Sequence, residues 1–297
     1  MSSSSWPMVT LLDPAQATAA VPALRRASHL APSEAQWDAV DALGRHLGAC
    51  DDTGALMAAV CLTPDRRVER LTVLPAWRRR GLSDHVLAAA AEQAHQWGWP
   101  RLLALAPTAA QPVFARAGFL PVPDAAHDPA GVLLQRRLDG PMAVTDLPAA
   151  VAAVTGLVSA ARRQLLIYTR ALDPPLLDDA GVLAATRRFA TARHDKQVRV
   201  LVQDGNAALA SGSGLLRLAQ RLPSVFRFRS ITDPIDTTYP SAYLVADDAY
   251  YFRPSGHRYD DGETWMSGPA RSRQLEREFA QIWERSALWN EPRALGL

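Results

Sequence analysis

The chain has 297 residues, 48% of them hydrophobic and 21% charged. Those proportions exclude a disordered, collagen-like or low-complexity polymer and suit two domains of about 150 residues, each with its own core. Net charge is +2, with 13 basic and 13 acidic side chains over residues 1–140 and 19 against 17 over 141–297, so neither half is a polyanion-binding surface by bulk charge and nucleic acid is not the expected partner. The two cysteines, Cys50 and Cys61, are too few for a disulfide scaffold and fit a reduced, cytoplasmic setting, and no apolar run reaches the about 18 residues of a membrane span.

The opening MSSSSWPM lacks the basic and apolar stretches of a signal peptide and reads as a floppy polar leader. A short strand is expected at 8–12, then a helix over 15–27 broken by Pro22, and a second helix over 34–43 capped by Ser33. Strands follow at 45–50 and 55–62, joined by a DDTG turn, and at 68–74. A long helix is predicted over 81–97 with Gly98 as its stop, then a strand at 101–106, a short helix over 108–117 ended by Gly118, and a closing strand at 132–138. LDGPMAVTDLP at 138–148 reads as a linker, which places domains at 1–140 and 141–297. The second half predicts strands at 164–169, 198–202 and 225–228, helices at 178–192 and 215–222, and a hairpin of 243–246 with 250–253 across DDA. Its last predicted helix, 269–289, carries Leu275, Phe279, Ile282, Ser286 and Trp289 on one face. Strands alternating with helices predict an α/β architecture in both halves.

The most informative run is VERLTVLPAWRRRGLSDHVLAAAAEQAHQWG, residues 68–98. A strand ends, Pro75 closes it, and three arginines and a glycine open a long helix. Free amides at a helix start, with the positive end of its dipole, bind anions. Gly81 lets a phosphate approach the backbone, and Arg78, Arg79 and Arg80 add charge at the rim. The arginine run also fits a plain solvated helix start.

With Arg78, Gly81 and Ser83 at the Gln/Arg-x-x-Gly-x-Gly/Ala positions, and FARAGF at 114–119 in place of Tyr-x-x-x-Gly-Phe, residues 8–138 resemble the GNAT N-acetyltransferase superfamily. The resemblance implies acetyl-CoA as cosubstrate and no metal. It implies that the strand around Leu71 and Val73 splays from its neighbour and pairs with the pantetheine arm, and that the amides of Arg79, Arg80, Gly81, Leu82 and Ser83 hold the pyrophosphate. An acceptor amine would attack the thioester directly, a backbone amide near Leu71–Val73 would polarise the carbonyl, and Glu69, the one carboxylate on this strand, is the candidate base. Glu69 also reads, and more simply, as an ordinary surface strand residue. Phe114 replaces the tyrosine that protonates the departing thiolate in the family, and all six tyrosines of the chain follow residue 140. Cys50 and Cys61 read as small core residues, and His85, His95 and His127 as surface or packing residues. His46 either packs or faces the acceptor cleft. No Cys or His spacing suggests a metal.

The second half resembles one phospholipase D-type half. Aligning the motif His-x-Lys-x-x-x-x-Asp on Asp247 puts Pro240 at the histidine and Ala242 at the lysine, so covalent phosphoryl chemistry is not expected. The HDK run at 194–196 reads as a solvated turn. Arg227 and Arg229 alternate with Phe226 and Phe228, one face polar and one buried. Asp233, Asp236, Asp260, Asp261 and Glu263 suggest loops that are either simply solvated or attract a cationic acceptor. The expectation is therefore a GNAT-like mixed sheet fused to a chemically empty phospholipase D-like α/β domain. It would act as an N-acetyltransferase on a small-molecule or peptide amine, in the cytoplasm and away from membranes, with homodimerisation through the second domain as one option. The alternative is an acyl-CoA-binding regulatory protein acting through its second domain.

Overall fold

The computed structural model describes residues 7–126, 128–192 and 195–289. The first six residues of the leader, His127, and His194 of the HDK run lie outside the described residues. Packing divides the chain into two units, one of residues 1–117 and 124–139, the other of 118–123 and 140–297.

The first unit opens with β1 (Val9–Leu11), α1 (Pro14–Ala27), α2 (Pro32–Ala35) and α3 (Ala39–Leu43). It continues with β2 (Arg45–Cys50), β3 (Leu56–Leu62), β4 (Val68–Val73), α4 (Leu82–Gln96) and β5 (Arg101–Ala106). Next come α5 (Gln111–Arg116), β6 (Leu120–Pro121), which belongs to the second unit, and β7 (Val132–Arg137). Strands β1 to β4 form an antiparallel sheet in chain order, and β5 pairs antiparallel with β7. Helix α1 runs unbroken through Pro22. A proline inside a helix costs about 3 kcal/mol, but here Val21, Pro22 and Leu24 are buried, and Val21 and Leu24 share a core with Ala59 of β3. Tertiary burial outweighs the local penalty. The helix expected over 34–43 is two short ones, because Asp38 leaves the helical region and caps α3, accepting from Val40 N at 2.9 Å and Asp41 N at 3.1 Å.

The second unit contains β8 (Met142–Val144), α6 (Leu147–Ala160), β9 (Gln164–Thr169), α7 (Pro174–Leu177) and α8 (Ala180–Thr191). It continues with β10 (Gln197–Val202), α9 (Gly205–Ala210), α10 (Gly214–Arg221), β11 (Phe226–Ser230) and α11 (Pro234–Thr237). It closes with β12 (Ala242–Ala246), β13 (Ala249–Arg253), β14 (Gly262–Trp265), α12 (Pro269–Arg285) and β15 (Ala287–Leu288). Its eight-stranded sheet has the order β15-β11-β10-β9-β12-β13-β14-β8. Strands β9, β10 and β11 are parallel, while β12 lies antiparallel on the far side of β9. Alternation sorts the side chains: Leu165 and Ile167 join the core that holds α6, α8 and α10, while Leu166 and Tyr168 join Leu275, Phe279, Ile282 and Trp283 of α12. Helices therefore cover both faces.

The stretch read as a linker is not one: β8 pairs with β14 and α6 follows at once. Helix α6 (LPAAVAAVTGLVSA) carries no charged residue, so it has no polar stripe to reveal a helical period; eight of its fourteen residues are buried. The last helix stops at Arg285. Trp289 instead packs edge-on against Phe228, with ring centroids 5.8 Å apart. Among the described residues no helix is long and apolar enough to cross a membrane.

Candidate functional site

In the first unit, β4 and β5 run parallel but share a single bridge, Arg67 with Leu103, with Leu103 N donating to Arg66 O at 2.9 Å. Beyond it they belong to different sheets, which leaves one edge of β4 open. A bulge lies on that strand: Cys61 faces Glu69 and Ala59 faces Thr72, so Arg70 and Leu71 oppose one residue of β3, and Arg70 has φ of 56°. Leu74 N donates to Met57 O at 2.9 Å. By the alternation of an antiparallel ladder, the N–H and C=O of Val73 then point to the open edge.

After β4 the chain makes a short 3-10 turn (Pro75–Trp77) and reaches α4 through two left-handed residues, Arg79 at φ 59° and Gly81 at 88°. Gly81 is the N-cap of α4 and supplies no side-chain cap, so the first amides of the helix face outward without a side-chain acceptor. The loop is accessible: Arg78, Arg79 and Arg80 are exposed and Gly81 and Ser83 half-buried, while Leu82 is buried and anchors the helix.

The three arginines differ in role. Arg78 is not a free rim charge, because it donates to Val73 O at 3.2 Å and Ser28 O at 2.9 Å and so clasps the loop to β4 and the end of α1. Arg80 lies over the Trp77 ring at 5.3 Å. Arg79 has no side-chain partner among the described residues. Behind the loop, Asp84 pairs with Arg116 of α5 at 3.0 Å. Phe114, also on α5, is buried at 7% exposure and offers no proton donor. Glu69 and Leu71 are half-buried on β4, and Val73 is buried with its carbonyl held by Arg78.

The fold also assembles a polar cluster that spacing does not reveal. The buried Asp41 carboxylate accepts from Arg25 at 2.6 and 2.7 Å, lies 3.1 Å from His46 Nε2, and meets Arg70 at 3.4 Å. Arg70 also pairs with Asp38. Burial alone would raise the Asp41 carboxyl, but the hydrogen bonds from Arg25 and His46 and the two guanidinium charges outweigh it and hold the group at about 2. Burial pushes the His46 imidazole down, only partly offset by Asp41, and pushes the Cys61 thiol up to about 12, with Asp41 and Glu69 adding to the rise. Asp41, His46 and Cys61 stand close enough to share an ion, yet two arginines already occupy the carboxylate. His46, tilted against Trp37 with ring centroids 5.0 Å apart, is a buried member of this cluster rather than a group facing a cleft.

In the second unit the acidic residues do not form one patch. Asp236 is buried against Arg285 at 2.8 Å, Asp260 pairs with Arg258, and Glu263 lies on β14 and accepts from Tyr250 at 3.1 Å. Asp247, the residue aligned to the phospholipase D aspartate, braces the hairpin turn by accepting from the amides of Arg162, Arg163 and Gln164.

Residues 14–119 match the acetyltransferase (GNAT) family model, and residues 146–295 match the model described as a domain of unknown function, DUF7931. The phospholipase D-like reading of the second half finds no support among these matches. Similar solved structures include YhbS, a GNAT-family N-acetyltransferase from Escherichia coli in complex with CoA; it is 19% identical over 46% of this chain and 85% of its own, with a TM-score of 0.39. An acyl-CoA N-acyltransferase from Pseudomonas aeruginosa is 22% identical over 43% of this chain and 99% of its own, with a TM-score of 0.35. The archaeal chromatin protein TrmBL2 is 12% identical over 50% of this chain, with a TM-score of 0.37, and only 54% of its length is spanned. No curated protein matches the chain. The DUF7931 model spans half of the sequence, so the chain belongs to that family, with a GNAT acetyltransferase domain at residues 14–119.

Proposed function

We propose that the first unit binds acetyl-CoA and transfers the acetyl group to an amine. The observation that carries this reading is the accessible, uncapped start of α4 at the half-buried Gly81, which follows a strand whose edge is open. The residues fit a diphosphate. Backbone amides of Leu82 and Ser83 supply donors, Gly81 brings the backbone close, and Arg79 adds an exposed charge. The open edge of β4 suits the pantetheine amides through the Val73 N–H, since the Val73 carbonyl is taken by Arg78. A backbone amide near the bulge at Arg70–Leu71 would polarise the thioester carbonyl. The amine nitrogen then bonds to the carbonyl carbon, the carbon–sulfur bond breaks, and the electron pair leaves with the CoA sulfur. Glu69, directly or through water, takes the proton from the new ammonium, and a proton from solvent reaches the thiolate, because Phe114 has none to give.

That last point favours a second reading, an acyl-CoA sensor without turnover. For the second unit we propose a chemically empty, phospholipase D-like half that positions the acceptor or mediates self-association. Three parallel strands followed by the β12–β13 hairpin support it, and Pro240 and Ala242 stand where the chemistry would need histidine and lysine. Calorimetry with CoA and a thiol-release assay with acetyl-CoA and a panel of amines separate the readings. Binding with steady release supports the transferase, binding without release supports the sensor, and no binding sinks both.

A further inference from the structure

The second unit holds a cavity of about 830 Å³. It opens at the carboxyl ends of the three parallel strands: Arg170 follows β9, Gln203 and Asp204 follow β10, and Ser230 ends β11. The chain steps outward from β9 to β10 to β11, then returns to lay β12 on the other side of β9. Strand order reverses there, and in open α/β sheets the crevice at such a reversal is where ligands bind. The volume is that of a small-molecule site, well above that of a trapped water.

The lining says what kind of molecule fits. Gln203 spends its amide nitrogen on the floor, donating to Tyr168 Oη at 3.0 Å and Tyr239 O at 2.7 Å. Asp204, the one carboxylate in the lining, spends an oxygen on Ala207 N at 2.9 Å as the cap of α9. Three donors have no partner among the described residues: the Arg170 guanidinium, the His257 imidazole, and the indole N–H of Trp289. Trp289 is 7% exposed and so firmly seated that a Cβ on Gly205 would stand 3.1 Å from its Nε1. Arg170 and His257 are exposed at the cavity, and together with the Trp289 N–H they suit a ligand rich in acceptors.

We propose that this cavity binds a small organic molecule bearing an oxyanion, its anionic group held between Arg170 and His257 and a second acceptor on the Trp289 N–H. The site is independent of the acyl-CoA reading, since every residue invoked belongs to the second unit. Carboxylate and phosphate share this chemistry, and the experiment distinguishes them. Citrate, inorganic phosphate and adenosine monophosphate are titrated separately into the full chain by calorimetry. At least one organic anion is expected to bind at a Kd of about 10 mM or tighter, and Arg170→Gln, a change at an exposed side chain, is expected to weaken it at least about tenfold. Trp289→Phe, which keeps the ring and deletes the N–H, is expected to weaken it about threefold or more. Gly81→Glu is expected to leave it unchanged. No binding by any of the three probes overturns the proposal. So does binding that survives Arg170→Gln but is lost in Gly81→Glu, which would place the anion at the start of α4.

Discussion

The start of α4 and the cavity at the ends of β9, β10 and β11, the two proposed anion sites, are built in different ways. The first is built from backbone: amides that a helix cannot satisfy, a glycine at φ 88°, and a strand edge left open. The second is built from side chains, brought together by segments as far apart as Arg170 and Trp289. A backbone site leaves a local trace, because the glycine and the helix start must be contiguous. A side-chain site leaves none until the sheet is folded.

The largest effect is expected at the Asp41 cluster of the first unit. Asp41→Asn leaves Arg25 and Arg70 facing an uncharged group in the interior, and it should destabilise the first unit by about 3–5 kcal/mol, read by urea denaturation. The same variant should change the acid limb. The Asp41 carboxyl is held at about 2 against an ordinary 3.8, so its contribution is complete above that ordinary value and is lost as pH falls through about 2. The wild-type stability curve should therefore drop over that interval more steeply than the variant's. Next in size is Gly81→Glu, which sets a carboxylate beside the diphosphate and should weaken CoA at least about 100-fold by calorimetry. Gly81→Ala is its control, carrying only the left-handed strain of about 1–2 kcal/mol. Arg79→Ala should weaken CoA by about three- to fivefold at low salt and less at high salt, as befits an exposed charge. Smallest is Phe114→Tyr, which should preserve or raise turnover within about threefold. A fall in turnover with CoA affinity intact would mean that the buried ring has a packing role a hydroxyl disrupts.

Where pattern and packing agree, the chain is legible. Strand 101–106 ends where its alternation ends, and Gly98 and Gly118 stop their helices in left-handed conformations, at φ 73° and 81°. The RRRG corner could be read as an exposed helix start because Leu74 closes a strand and Leu82 opens an apolar face. Three kinds of feature could not be read. Helix α6 lacks charged residues to mark its period, and Pro22 looks like a breaker until its burial against β3 is seen. The Asp41 cluster draws on α1, α3, β2, β3 and β4, and no spacing along the chain announces it. The difference among Arg78, Arg79 and Arg80 is likewise tertiary: one clasps carbonyls, one is open, and one lies on an indole.

The β8 strand has a practical bearing on how the molecule is taken apart. Met142, Ala143 and Val144 seal the outer rim of the large sheet against β14. A fragment begun at residue 148, where turn residues invite a cut, would shed that seal and strip the capping Asp146 from α6. Its bare rim would then be free to recruit strands from other copies, and its insolubility would say nothing about whether the half folds by itself. Begun at residue 140, the same half keeps its hem.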